Sequence, residues 1–331
     1  MIRLMRAAPF ALLLAACGPA VEESEPEPAA FRAPPSVEAR AVLGFEDVGG
    51  DIVDIVLLPN AVPFLGRSIV AVDGGGLMSF DLASGASTPL DAPAVGSLAA
   101  APEFFLRGSA APLIFASGGE LDEVRAWVYL AEEEALIDLP MEPIVPDGEI
   151  RALCDGRVTD AVADLVIATD QAIETWQVRD RGGDALSVER VSSVDTGEAL
   201  TACDSYGGSV IGVWESSRSY EVGPTDPLWG VEGVTDASVV TRGDAKWVML
   251  ARPDARAGRL ITPYNEAVQV EFVDGLNTPS TPAPARVASS ATNFGGPFSQ
   301  GVLAVAQDDR INFIELGGLL DRALAAVSAG G

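Results

Sequence analysis

The chain has 331 residues, 21 basic against 48 acidic side chains, a formal net charge of −27 and no histidine. That charge opposes a polyphosphate backbone, so nucleic acid is not an expected partner, and the missing histidine excludes Ser-His-Asp hydrolysis and His-ligated zinc. Chemistry would have to come from carboxylates, a bound metal or water, while a hydrophobic fraction of 48% with only 6% aromatic residues suits a sizeable core of Val, Ile, Leu and Ala.

Residues 1–16 carry Arg3 and Arg6 followed by the apolar run Phe10–Ala16, which is too short to span a bilayer as a mature helix and reads as a secretion signal. Leu14-Ala15-Ala16-Cys17 resembles the lipobox of bacterial lipoproteins, in which the cysteine becomes the lipid-modified first residue. Cys17 is thus the expected lipidation site, and each buried methylene of its acyl chains would contribute about 0.8 kcal/mol to membrane anchoring. Gly18 in place of aspartate resembles lipoproteins sorted outward, so the expected location is the periplasmic face of the outer membrane of a Gram-negative bacterium. Residues 17–36 are rich in proline and glutamate and read as a tether, whose 18 residues from Gly18 to Pro35 would reach about 55 Å if fully extended.

Residues 37–331 read as one folded body. Val37–Phe45 has strand character, and in a closed propeller an N-terminal strand commonly completes the last blade. Ser68–Leu82, SIVAVDGGGLMSFDL, then sets the pattern: two β-rich runs bracket Asp73-Gly74-Gly75-Gly76, and glycine supplies the positive φ angles of a tight turn. The same grammar returns at Leu113, Leu165, Val210, Trp247 and Val302, so that anchors from Ile69 onward fall 37 to 55 residues apart. This is a period of blade size. The expected fold is all-β, a six-bladed β-propeller with four-stranded antiparallel blades, closed by a short C-terminal helix over Leu319–Val327 after Gly317-Gly318.

A first strand is also visible in the repeat. Glu149-IRAL-Cys154-Asp155 and Glu198-ALTA-Cys203-Asp204 share both spacings at an offset of 49 residues. Neighbouring innermost strands run side by side, which leaves Cys154 and Cys203 as either a disulfide pair or two buried thiols. The same register places Asp51 before IVDIVLL and Glu232 before GVTDAS. With Glu149 and Glu198 these carboxylates would ring one mouth of a central channel, either solvated or holding a hard cation such as Ca²⁺.

Three stretches resemble segments of the bacterial β-propeller phytases: Thr196–Ser216 their Glu-Gly-x-x-Ala-Asp-Asp segment, Val231–Ala251 their Val-Glu-Gly-Leu-Thr segment, and Gly296–Leu316 their closing Val-x-Gln-Asp segment. The similarity runs from about Gly44 to Leu320. It implies a six-bladed enzyme that uses calcium and carboxylates at one mouth to hold phosphate and activate water against inositol hexakisphosphate. By this resemblance Glu198 and Glu232 match glutamates of the calcium and phosphate site and would be catalytic, Asp308 matches the closing aspartate, and Asp51 the first of paired N-terminal aspartates; together with Glu149 they form the expected metal set.

The resemblance also has gaps. Ile52 stands at the second N-terminal aspartate and Gly230 at an aspartate two before Glu232, the first hairpin turn has no lysine, and Gly118-Gly119 replaces an Asn-Arg pair. Because phosphoryl transfer depends on neutralising charge at phosphate oxygens, the expected function is a membrane-anchored, phytase-like propeller with a degenerate phosphate site and a binding role; the alternative is an active Ca²⁺-dependent phytase or phosphoesterase. Expected partners are the membrane, through the lipid anchor, and a small phosphorylated ligand or a protein, with the body monomeric.

Overall fold

Strands dominate: the computed structural model, which describes residues 33–206, 209–216, 219–222 and 232–330, holds twenty-five of them and one α-helix among those residues. Pro34–Gly331 forms one compact unit. The signal segment, Cys17 and nearly all of the tether lie outside the described residues.

After β1 (Ser36–Phe45) the chain builds one small antiparallel sheet after another. The first comprises β2 (Ile52–Leu58), β3 (Arg67–Val72), β4 (Gly76–Asp81) and β5 (Ser87–Leu90). In the second, β6 (Ser97–Ala101) is followed by a two-residue ribbon, β7 (Phe105–Leu106) with β8 (Ser109–Ala110), and then by β9 (Leu113–Gly118), β10 (Leu121–Leu130) and β11 (Ala135–Leu139). The third is β12 (Ile150–Thr159), β13 (Val162–Thr169), β14 (Ala172–Arg179) and β15 (Ser187–Asp195). The fourth shows three strands among the described residues, β16 (Leu200–Tyr206), β17 (Ser209–Trp214) and β18 (Ser219–Val222). A fifth group follows, β19 (Asp236–Arg242), β20 (Ala245–Arg252), β21 (Ala257–Ile261) and β22 (Ala267–Val273), and a sixth, β23 (Arg286–Ser290), β24 (Val302–Gln307) and β25 (Arg310–Glu315), before helix α1 (Leu316–Gly330).

β1 joins the last two groups into one eight-stranded sheet. Its first half, Ser36–Arg40, runs parallel to β22, and Ala41–Phe45 runs antiparallel to β25, with a register shift between Ala41 and Leu43. The N-terminal strand therefore completes the sixth group and also extends the fifth.

The core explains the apolar runs. In β3, Val70 and Val72 pack toward the sixth group while Ile69 and Ala71 pack toward the second sheet. A strand sandwiched on both faces needs apolar residues at successive positions rather than alternation. Buried clusters fill every interval in turn: first sheet to second, second to third, third to fourth, fourth to fifth, fifth to sixth, and sixth back to first. The first strands β2, β6, β12, β16, β19 and β23 neighbour one another in the same cyclic order.

Two local features follow from sequence. Gly74 and Gly76 adopt φ of +63° and +77° in the β3–β4 turn, and a Cβ at Gly76 would stand 2.7 Å from the Ala92 carbonyl oxygen, so the position is closed to larger residues. At the C-terminus the helix starts earlier than its apolar spacing suggests and takes in Gly317 and Gly318. Glu315 explains the start: its Oε2 accepts the Gly318 N–H at 2.8 Å, satisfying a first-turn donor that has no intrahelical partner.

Candidate functional site: the axial carboxylates

The first strands of neighbouring sheets do not form ladders with each other, so their polar groups need other partners. Side chains supply them at every junction. Asp54 on β2 accepts the Leu98 N–H at 2.7 Å and the Ser97 hydroxyl at 3.0 Å, and the Ser97 Oγ in turn accepts the Leu153 N–H at 2.8 Å. Asp155 on β12 accepts the Ala100 N–H at 2.6 Å, and the Ser205 hydroxyl donates to the Asp155 carbonyl. Asp204 on β16 accepts the Val239 N–H at 2.7 Å and the Ser238 hydroxyl at 3.1 Å. Asp236 on β19 accepts the Val287 N–H at 2.9 Å. Arg286 on β23 closes the circle, donating from Nε to the Val53 carbonyl at 2.7 Å and from Nη1 to Thr235 O at 3.2 Å.

Local sequence aims these acids. Asp54 is the one charged residue in Ile52–Leu58, and its Oδ1 also accepts the next backbone N–H, of Ile55, at 2.8 Å. Asp204 and Asp236 do the same with Ser205 and Ala237. After Asp155 the β12 ladder shifts register at Gly156, where a Cβ would fall 1.9 Å from Asp164 O. Only glycine lets the strand bend there.

All four carboxylates line one cavity of 230 Å³, bordered also by Glu103, Cys154, Cys203, Ser238 and Ser289. A second space of 120 Å³, with Arg151 and Arg286 in its wall, shares Asp54 and Asp236 with the first. Burial shifts each acid upward because the charged form loses water. Asp155 is pushed up to about 8 by burial and then by the neighbouring Asp204. Asp236 rises to about 7 through burial, opposed by Arg286, and Asp204 to about 6 through burial, with Asp54 adding repulsion. Asp54 is also raised by burial. The arrangement is a set of protonatable acceptors, each already committed to a backbone donor of an adjacent sheet.

The carboxylates expected as metal ligands lie elsewhere, just ahead of the first strands or in hairpin turns, and all are exposed. Glu198 Oε1 accepts the Ser216 N–H at 2.6 Å. Glu149 pairs with Arg151 at 3.3 Å. Glu232 receives Arg252 Nε on its backbone oxygen at 3.0 Å. Asp51 and Asp308 are brought together, since Ile52 N–H donates to Asp308 O at 2.7 Å. Calcium takes six to eight oxygens, yet among the described residues no three histidine, cysteine or acidic side chains are grouped to hold an ion. Cys154 and Cys203 are joined in a disulfide, their Cα atoms 5.6 Å apart.

Asp54, Asp236 and Arg286 lie outside the expected site residues; the signal for them is a charge at or near the start of a first strand. Asp155 and Asp204 stood in the repeated Cys-Asp motif, but as register marks only.

No protein-family model matches the sequence, and no curated protein does. Solved structures of similar shape exist: a protein of unknown function from Bacteroides thetaiotaomicron is 10% identical at a TM-score of 0.52, covering 85% of this chain and 75% of the other. BBS1N, solved in complex with ARL6DN, is 10% identical at a TM-score of 0.51, covering 85% of this chain and 98% of its own. At such identity the likeness is one of fold, a β-rich chain of many small antiparallel sheets.

Proposed function

We propose that this chain is a six-bladed β-propeller of phytase-like descent, exported and lipid-anchored through Cys17, that acts by binding a partner rather than by hydrolysing phosphate esters. The blade reading is supported by the six core clusters between consecutive sheets and by the cyclic order of the first strands. Export is supported by the disulfide, a bond that persists in oxidising compartments.

One observation carries the non-hydrolytic reading: each of the four cavity carboxylates is already an acceptor for a backbone N–H of an adjacent sheet, and among the described residues no three acids are grouped to hold a cation that would grip phosphate. The connections leading from first to second strands carry Phe64, Phe105 and Tyr206, 60%, 41% and 40% exposed. By topology these lie at one end of the axis, a suitable face for a protein partner. BBS1N, of similar fold, is itself solved with a protein bound. Phosphate release from phytate, measured with and without calcium on protein lacking residues 1–17, tests the reading: none above background is expected, and calcium-dependent turnover overturns it.

A calcium-dependent phosphoesterase is the second reading, favoured by the adjacency of Asp51 and Asp308. A cation bound to the native state alone raises the melting temperature with its concentration, so a flat calcium titration removes this reading.

A further inference from the structure

The two Cys-Asp pairs stand on adjacent first strands, Cys154-Asp155 on β12 and Cys203-Asp204 on β16. Joining the cysteines therefore fixes the following aspartates beside each other in the wall of one cavity. The charged groups around them are Asp54 from β2, Asp236 from β19, Glu103 after β6, Arg286 from β23 and Arg151 from β12. Arg286 acts on Asp54 and Asp236. Asp155 and Asp204 flank the β12–β16 junction, Asp155 bonded to Ala100 of β6 and Asp204 to Val239 of β19, and between those two strands the chain places its disulfide.

We propose that the Cys154–Cys203 disulfide is a redox-addressable clamp holding two mutually repelling carboxylates together, so that its reduction opens the β12–β16 junction when both acids are ionised and leaves it closed when they are protonated. The repulsion acts in the folded protein, where the Asp204 carboxylate adds to burial in raising Asp155. Besides the clamp, the junction is spanned by the Ser205 hydroxyl to Asp155 O and by the apolar contacts of Ala152, Val166, Ala168, Ile173, Leu200 and Val210. Reduction by a dithiol balances simply. The S–S bond breaks, each sulfur gains one electron and one proton, and the dithiol closes to its own disulfide. Both cysteines border the cavity, which gives a small reductant its approach.

The test compares melting temperatures of oxidised wild type, Cys154→Ser/Cys203→Ser, Asp155→Asn and the triple variant at about pH 5.5 and about pH 8.5, on either side of the range in which these acids titrate. Serine does not ionise, so thiolate formation does not enter. The serine pair is expected to lose at least twice as many degrees at the higher pH as at the lower, and Asp155→Asn is expected to remove that difference. If the serine pair is unfolded at the higher pH, recovery at the lower pH or on adding Asp155→Asn supports the clamp equally. Equal losses at both pH values, a pH difference unaltered by Asp155→Asn, or a serine pair unfolded in every condition overturns it.

Discussion

Asp54 of the first sheet holds the Leu98 N–H of the second at 2.7 Å. Its second oxygen is taken by its own neighbour Ile55, so one carboxylate fixes a local bend and a long-range junction together. Asp54→Ala strands the Leu98 N–H and the Ser97 hydroxyl, and an unsatisfied buried group costs about 1–3 kcal/mol. Urea unfolding is expected to report a loss of that order, with Asp54→Asn losing less because its carbonyl still accepts.

Stability should fall as pH rises through neutrality. Asp155, Asp236 and Asp204 have folded-state values of about 8, 7 and 6 against 3.8 unfolded, so the folded chain binds more protons than the unfolded one between these limits. Their contribution is full below the unfolded value and is lost progressively as pH climbs to the folded values. Asp81 and Asp274, whose values are lowered, act in the opposite sense in strong acid. Melting temperature measured against pH is expected to peak in mildly acidic buffer and decline toward alkaline pH.

Arg286 moderates this slope. It lowers both Asp54 and Asp236 and closes the junction to Val53. Arg286→Ala is expected to destabilise at all pH values and to steepen the alkaline decline, read from the same melting series. A parallel shift with no change of slope would mean that its charge is unimportant to the ring.

In the third sheet, Glu174 is fully buried and accepts Trp176 Nε1, Arg190 Nη1 and the Asp147 N–H at 2.8, 2.9 and 2.9 Å. Glu174→Ala leaves the Trp176 donor without an acceptor, at about 1–3 kcal/mol. Trp176 fluorescence should change in the native state, whereas Glu174→Gln retains an acceptor and should lose less stability.

The β-rich hairpins were legible because glycine turns such as Asp73–Gly76 and apolar runs sandwiched on both faces leave a strong local signature. Less of the axial arrangement was legible. Asp51, Glu149, Glu198 and Glu232 announce themselves by position ahead of a first strand, but burial is not written in position, and all four are exposed. Asp54 and Asp236 become important only when an adjacent sheet presents a backbone N–H, a relation between residues 44 and 51 positions apart that no local pattern encodes. The 49-residue offset of the Cys-Asp pairs was the exception, since duplication made a distant contact visible as a repeat. The start of α1 at Leu316 is hidden from the apolar spacing for a related reason: Glu315 caps the helix with a side chain, and glycines that weaken a helix interior are tolerable in a first turn whose N–H groups lack partners anyway.

β1 gives the body a mechanical character. Because its first half is laddered to β22 and its second to β25, tension applied to the chain at Ser36 along the strand loads both ladders in shear, many hydrogen bonds at once, instead of peeling them singly. The two ladders belong to different groups of strands, so the point where the chain enters its folded body comes apart only when both give way.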